Sequence, residues 1–308
     1  MPVAILPSHV LVVAGPTASG KSELAAALAE AVGAEIVGAD SRQVYRCMDV
    51  GTAKPEPELR ARVAHHLIDV VDPDADYDVA AWRRDALSAL ADIQGRGRRA
   101  IVCGGTGLYL RSLERGLFAG PPADPALRGR LQQEEVATPG ALHARLAGVD
   151  PPSALRIHVN DRMRLVRALE VFESTGRPLS AWLAEHGLSE RPFITLTLEV
   201  EVAREELCER IEARSRAMVA AGLVEELASL YARGYAPSTR AFDAIGYREA
   251  GLCIAGSLPL KGLAEAIGRA TVQYAKRQRT WLRGQADTVK IARGDAEAGL
   301  RLARAFFS

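Results

Sequence analysis

Eight consecutive residues, Gly15-Pro16-Thr17-Ala18-Ser19-Gly20-Lys21-Ser22, fit the pattern G-x-x-x-x-G-K-[ST] in full. Residues of these types at this spacing bind phosphate. Gly15 and Gly20 let the backbone turn tightly enough to aim its N–H groups at phosphate oxygens. Lys21 brings a full positive charge, and the N-terminus of a following helix adds about half of one. Ser22 offers a hydroxyl to Mg²⁺, a cation that takes hard oxygen ligands. The motif specifies a bound polyphosphate but not what is done with it.

Such a loop needs a strand before it and a helix after it. His9–Ala14 is a short apolar run rich in β-branched residues, as expected for a strand covered on both faces. Ser22–Val32 is dominated by Ala, Leu and Glu, which favour helix. Ala34–Ala39 predicts a second strand that ends at Asp40. Asp78 is the expected N-cap of a helix through Trp82 to Ile93. Arg99–Cys103 predicts a third strand, closed by Gly104-Gly105-Thr106-Gly107. Strands and helices alternating in this way predict an α/β fold: a doubly wound parallel sheet of the P-loop NTPase-like kind.

The pattern changes near Gly120-Pro121-Pro122. From there to about Gly187 only helical periodicity is visible, with Asp124-Pro125 and Asp150-Pro151-Pro152 as breaks. Residues 1–119 are therefore expected to form the first part of the core, 120–190 a helical insertion domain, and 191–308 the rest of the core. That last part should hold a strand over Phe193–Val202, several helices and a short final strand near Val289–Ile291.

Composition narrows the class. The chain has 308 residues, 48 % hydrophobic and 25 % charged, as in ordinary globular proteins. Its net charge of +1 means that any nucleic-acid surface must come from local clusters of Lys and Arg. Cys47, Cys103, Cys208 and Cys253 are far apart and form no Cys-x-x-Cys pair, which argues against a zinc site or a disulfide framework. Reduced thiols in a cytoplasmic protein are the expectation. Met1–Pro7 shows no secretory signal pattern, and no apolar run approaches the roughly 18 residues of a membrane span.

An ATP-hydrolysing enzyme would be expected to end a neighbouring apolar strand in Asp to help hold Mg²⁺. The third strand offers no carboxylate there; the second, read as the strand neighbouring the P-loop, offers Asp40. Further along, Arg269–Arg283 holds Arg269, Lys276, Arg277, Arg279 and Arg283 with no acidic residue, interleaved with Tyr274 and Trp281. Such a stretch can pair with phosphates and stack on unpaired bases, or it can be a solvated helix face with aromatic anchors in the core. Arg156, Arg162, Arg164 and Arg167 make a second basic cluster. His65 and His66 have no second cluster of ligands and are read as structural; His143, His158 and His186 are scattered.

The surroundings of Asp40 carry a wider likeness. Gly38-Ala39-Asp40-Ser41-Arg42-Gln43-Val44-Tyr45 and Met48-Asp49-Val50-Gly51-Thr52-Ala53-Lys54-Pro55 resemble the tRNA dimethylallyltransferase family. The resemblance continues through His65–Asp69, Gly104–Tyr109, Asn160-Asp161 with Arg164–Glu170, Ala244–Arg248 and Lys276–Arg283. It implies that the P-loop grips dimethylallyl diphosphate rather than ATP, with Mg²⁺ as cofactor. By the same resemblance, Asp40 is the general base on the exocyclic amine of an adenine, and Thr17 orients the diphosphate. Arg214 is a further diphosphate ligand, with Arg216 as the alternative. The family's acceptor is the adenosine beside the anticodon in tRNAs reading codons that begin with U. Contacts to tRNA are implied for Asp40, Ser41, Arg42, Gln43, Thr106 and Arg128. They are implied also for Met163, Arg164, Leu165, Val166 and Arg167, for Gly246, Tyr247 and Arg248, and for Lys276, Arg277, Arg279, Trp281 and Arg283. A target adenine stacked in its loop would have to be flipped out to reach Asp40. Nothing in the sequence calls for more than a monomer. Rival readings are a small-molecule kinase, a prenyltransferase acting on free nucleotides, and a non-catalytic RNA-binding module.

Overall fold

The structure, a computed structural model, describes residues 8–187, 190–285 and 287–308. The reading of Met1–Pro7 lies outside them. By contact density the chain forms two compact units, one of residues 1–114 with 191–308, the other Arg115–Glu190.

The first unit opens with strand β1 (Ser8–Ala14), helix α1 (Lys21–Val32), β2 (Ala34–Ala39), α2 (Pro57–Arg62), β3 (His65–His66), α3 (Val79–Gly95), β4 (Arg99–Gly104) and α4 (Gly107–Arg115). The second unit is helical: α5 (Pro125–Ala137), α6 (Ala141–Val149), α7 (Pro151–Arg156), α8 (Arg162–Thr175) and α9 (Leu179–His186). The chain then returns through β5 (Phe193–Glu201), α10 (Arg204–Ala220), α11 (Leu223–Ala232), α12 (Tyr247–Ile254), α13 (Leu263–Arg283), β6 (Thr288–Ala292) and α14 (Ala296–Phe306).

The six strands of the described residues join one parallel sheet in the order β3-β2-β4-β1-β5-β6. Alternation along each strand separates two apolar layers. Val10, Val12, Val37 and Val102 face Trp82, Leu90, Leu113, Ile267 and Leu282 on one side. Leu11, Val13, Ile36, Ile101 and Leu198 face Leu28, Ala29 and Ala303 on the other. Helices on both faces make the sheet doubly wound, as the alternating pattern predicted. The edge strand β3 was not legible: two histidines carry no strand periodicity, and only pairing of Ile36 with His65 and Val37 with His66 defines it.

In the helical unit the Asp-Pro pairs are helix starts as well as breaks. Asp124 accepts from Leu127 N at 3.0 Å ahead of Pro125. Asp150, 1 % exposed, ends α6 and accepts from Ser153 N at 3.2 Å to begin α7. Proline at the first helical position gives up an N–H that has no partner there. Leu127, Leu131, Leu142, Leu146, Leu165 and Leu169 fill this unit's own core.

Candidate active site

Register places the chemistry. Ala39, Gly104, Ala14 and Glu199 lie side by side at the C-terminal ends of β2, β4, β1 and β5. Loops leaving this row are where open parallel sheets bind ligands. Asp40 follows β2 and the P-loop follows β1, but the two strands are not neighbours, because β4 pairs with both. The expectation of an adjacent acid is corrected accordingly. Asp40 and Gly15 stand two strand spacings apart, about 10 Å, with the glycine-rich turn after β4 between them.

Close packing accounts for that turn. A Cβ on Gly104 would lie 2.1 Å from Ala39 O, and one on Gly107 would lie 2.3 Å from the indole of Trp281 in α13. Thr106 N donates to Ala39 O at 3.2 Å, and Thr106 Oγ1 accepts from Ser41 N at 3.1 Å. Asp40 Oδ1 accepts from Arg42 N at 2.8 Å and Gln43 N at 3.4 Å, fixing its rotamer. Trp82 supports this tip from beneath, donating to Gly38 O at 2.9 Å and stacking on Tyr109 with ring centres 4.5 Å apart.

The P-loop is a backbone cradle held under strain. Ala18 takes φ 63° and Gly20 φ 89°. Left-handed backbone is uncommon for a residue with a Cβ and needs support. Arg210 of α10 supplies it, donating from Nε to Ala18 O at 2.7 Å. Within the loop Ser19 N donates to Pro16 O at 3.2 Å, and Lys21 Nζ reaches the same carbonyl at 3.3 Å. The Ser19 hydroxyl is fully buried and has no hydrogen-bond partner among the described residues. An unsatisfied buried hydroxyl costs about 1–3 kcal/mol, which a phosphate oxygen would recover.

Two cations face this cradle. Burial lowers the Lys21 pKa, and Arg214 lowers it further, while Cys103 and Asp40 act in the opposite sense. Burial likewise lowers that of Arg214 of α10, against the attraction of Asp40 and Glu23. Lys21, Arg214 and Asp40 thus form one electrostatic group. Arg216 lies 3.9 Å from Glu212 with a side chain 68 % exposed, so of the two arginines Arg214 is the one turned to the cradle.

Ser22 sits in the first turn of α1, and its hydroxyl interacts with the Cys103 thiol, whose pKa burial pushes up to about 11. Among the described residues no cluster of three His, Cys, Asp or Glu side chains could hold a metal. Mg²⁺ fits such a place, because it keeps several waters and binds mainly through substrate phosphates. His66 Nε2 contacts Glu35 at 2.8 Å and His65 Nδ1 contacts Val63 O at 2.7 Å, which gives both histidines structural partners.

The basic stretch of α13 does not form one surface. Thr271, Ala275, Gln278 and Leu282 are its buried face. On one flank, Tyr274 hydrogen-bonds Thr106, its hydroxyl pushed up to about 12 by burial and by Asp40. Arg277 lies 5.8 Å from the Tyr274 ring centre, and Trp281 packs on Gly107. On the opposite flank Arg279 and Arg283 line a cavity with Pro16, Glu199, Glu201 and Lys290. Lys276 is exposed on the outer side, and Arg269 pairs with Glu265.

Several residues expected at RNA prove to be internal supports. Tyr247 is fully buried: its hydroxyl accepts from Gly51 N at 3.2 Å and donates to Glu226 at 2.5 Å. Glu226 in turn accepts from Asp49 N and Val50 N. Gly246 is buried and donates to Glu249, which also pairs with the exposed Arg248. The Gln43 amide donates to Thr52 O and Ala53 O. In the helical unit Leu165 and Val166 are core, while Met163 is 79 % exposed and Arg164 pairs with Asp161. Arg128 and Arg167 clamp the buried Glu170 at 2.8 and 2.6 Å. Burial alone would raise the Glu170 pKa; the two guanidiniums and the Asp124 amide outweigh it and hold the carboxyl below its ordinary value.

Sequence reading missed Gln278 and Arg210. A polar residue on the apolar face of α13, in step with Thr271, Ala275 and Leu282, was the available signal for the first. Nothing local marked Arg210 among the arginines of α10.

The sequence pattern of the IPP transferase family matches residues 43–285, and that described as isopentenyl transferase matches residues 8–68. The tRNA dimethylallyltransferase of Geobacter sulfurreducens is 50 % identical over 278 residues, covering 90 % of this chain and 89 % of its own. The solved tRNA isopentenylpyrophosphate transferase of Bacillus halodurans superposes with TM-score 0.71 at 32 % identity, over 98 % of this chain and 97 % of that one. A eukaryotic dimethylallyltransferase solved acting on tRNA gives TM-score 0.76 at 28 % identity, over 94 % and 75 %. With a P-loop that faces an aspartate across a carboxylate-free strand, and with these relatives along nearly its whole length, the chain belongs to the IPP transferase family.

Proposed function

We infer that this enzyme moves a dimethylallyl group from dimethylallyl diphosphate to N6 of the adenosine beside the anticodon, in tRNAs reading codons that begin with U. The products are N6-(dimethylallyl)adenosine and diphosphate. The observation that carries this reading is the register that sets Asp40 and the P-loop, with its buried unpartnered Ser19 hydroxyl, on one row of strand ends, with Lys21 and Arg214 as the cations beside them.

Two cations and the P-loop amides suit a diphosphate, whose charge grows as its bond to the allylic carbon breaks. Mg²⁺ on Ser22 and the diphosphate would add to that neutralisation. The adenine amine is a weak nucleophile because its lone pair is delocalised into the ring. Asp40 takes its proton as the new C–N bond forms. Thr17 orients the diphosphate from the cradle. Ser41, Arg42 and Thr106 border the acceptor; Lys276, Arg277 and Trp281, with Met163 and Arg164 on the helical unit, are the surfaces offered to RNA. Arg279 and Arg283 belong to the other flank of α13 and are weaker candidates for the same RNA. The reading implies a cytoplasmic enzyme; among the described residues no helix is long and apolar enough to cross a membrane.

The test is mass analysis of tRNA nucleosides after incubation with dimethylallyl diphosphate and Mg²⁺. Gain of one dimethylallyl group on adenosine is expected. Transfer to AMP with tRNA untouched, or consumption of ATP instead, would overturn the reading.

A further inference from the structure

Gln278 is buried, 7 % exposed, in the middle of α13. Its Oε1 accepts from Thr17 N at 2.8 Å, and its Nε2 donates to Gly105 O at 2.8 Å. One amide therefore joins the P-loop to the turn after β4. The fit is two-sided: a Cβ on Gly105 would lie 2.2 Å from Gln278 Nε2, so only glycine there admits the amide. The same Cβ would stand 3.0 Å from Gly15 O, which shows how close the two loops already lie.

A glutamine amide accepts and donates at once without carrying charge. Glutamate keeps the acceptor but sets a carboxylate oxygen against Gly105 O. Methionine keeps the volume and leaves Thr17 N and Gly105 O unpaired.

We propose that Gln278 is a positioning residue for transfer, holding the backbone of Thr17 in the diphosphate-binding conformation through its amide. It touches no substrate atom and acts through the loop. Because α13 also carries Lys276, Arg277 and Trp281, the helix that offers these groups to RNA is the one that sets the cradle. This inference rests on the proposed function for its choice of substrates.

The test compares wild type with Gln278→Glu, Gln278→Met and Gly105→Ala, the last displacing the amide from the opposite side. Three quantities are read: steady-state constants with dimethylallyl diphosphate and unmodified tRNA, the Kd for tRNA alone, and calorimetric binding of inorganic pyrophosphate with Mg²⁺. All three variants should raise the KM for dimethylallyl diphosphate at least tenfold and weaken pyrophosphate binding in parallel. A displacement of about 1 Å at such a site costs on the order of 10²-fold in rate. The Kd for tRNA should stay within about twofold, while the melting temperature should fall by several degrees in Gln278→Met, where two buried groups lose their partners. Unchanged KM and pyrophosphate affinity in Gln278→Glu would overturn the proposal. So would equal losses of tRNA and pyrophosphate binding, which mark a structural role only. The pyrophosphate arm needs no acceptor. A wild type that binds pyrophosphate but leaves tRNA unmodified would refute the proposed function while still testing Gln278.

Discussion

Arg128 and Arg167 in the helical unit, and Lys21 and Arg214 in the sheet unit, are all partly withdrawn from water, yet they are answered differently. The first two share one fully buried carboxylate, Glu170, at hydrogen-bonding distance. The second two feel Asp40 and Glu23 only at longer range, and burial depresses the pKa of both. A cation closed by a carboxylate stabilises its own unit. A shielded cation answered incompletely favours an incoming anion, and that is the property a diphosphate site needs.

The comparison is most sharply tested at Asp40. Asp40→Ala is expected to lower kcat by about 10²–10⁴, the range of a general base, with tRNA affinity kept; a parallel loss of tRNA binding would remove the catalytic assignment. Next in size, Glu170→Gln leaves two guanidiniums without their charge partner and should destabilise the helical unit by about 3 kcal/mol. Urea unfolding measures this, and pyrophosphate affinity should hardly move. Arg214→Gln should do the reverse: stability near wild type and kcat/KM for dimethylallyl diphosphate down about 10²-fold, whereas Arg216→Gln stays near wild type in both. Replacing Lys276 and Arg277 by Gln should weaken tRNA binding and reduce its salt slope by about one per lost phosphate contact. If Arg279 and Arg283 gave the larger change, RNA would lie on the other flank of α13.

The smallest effect concerns acid stability. Hydrogen bonds from Arg96, helped by His66 and opposed by burial, hold the Glu35 carboxyl at about 2. A carboxylate depressed in the folded state contributes its full stability above the unfolded value near 4.5 and loses it as pH falls from there toward 2. Denaturation midpoints should therefore drop across that window, and Glu35→Gln should flatten the drop.

Local patterns made the P-loop, the strands β1, β2 and β4, and the Asp78 cap readable, because each rests on a periodicity or a hydrogen bond within a few residues. The Asp78 side chain does accept from Ala81 N, at 2.9 Å. The Ala244–Arg248 block was legible as a family feature, but its job was not. Tyr247 braces Gly51 across 196 positions of sequence, and no local pattern encodes such a contact. In the sequence Arg128 and Met163 are marked by resemblance alone, Arg164 and Arg167 by charge and resemblance. Which arginines face a buried glutamate depends on packing between α5 and α8.

By itself the sequence determined that a G-x-x-x-x-G-K-[ST] loop follows a buried strand, that the second strand and not the third ends at a carboxylate, and that a helical segment interrupts the core. These follow from short-range sterics and hydrogen bonding. Tertiary structure alone decided that β4 lies between Asp40 and the P-loop, that Arg214 and not Arg216 turns inward, and that Gln278 ties Thr17 to Gly105. Each depends on which strand or helix comes to lie beside which, and sequence spacing does not carry that information when the partners are scores of residues apart.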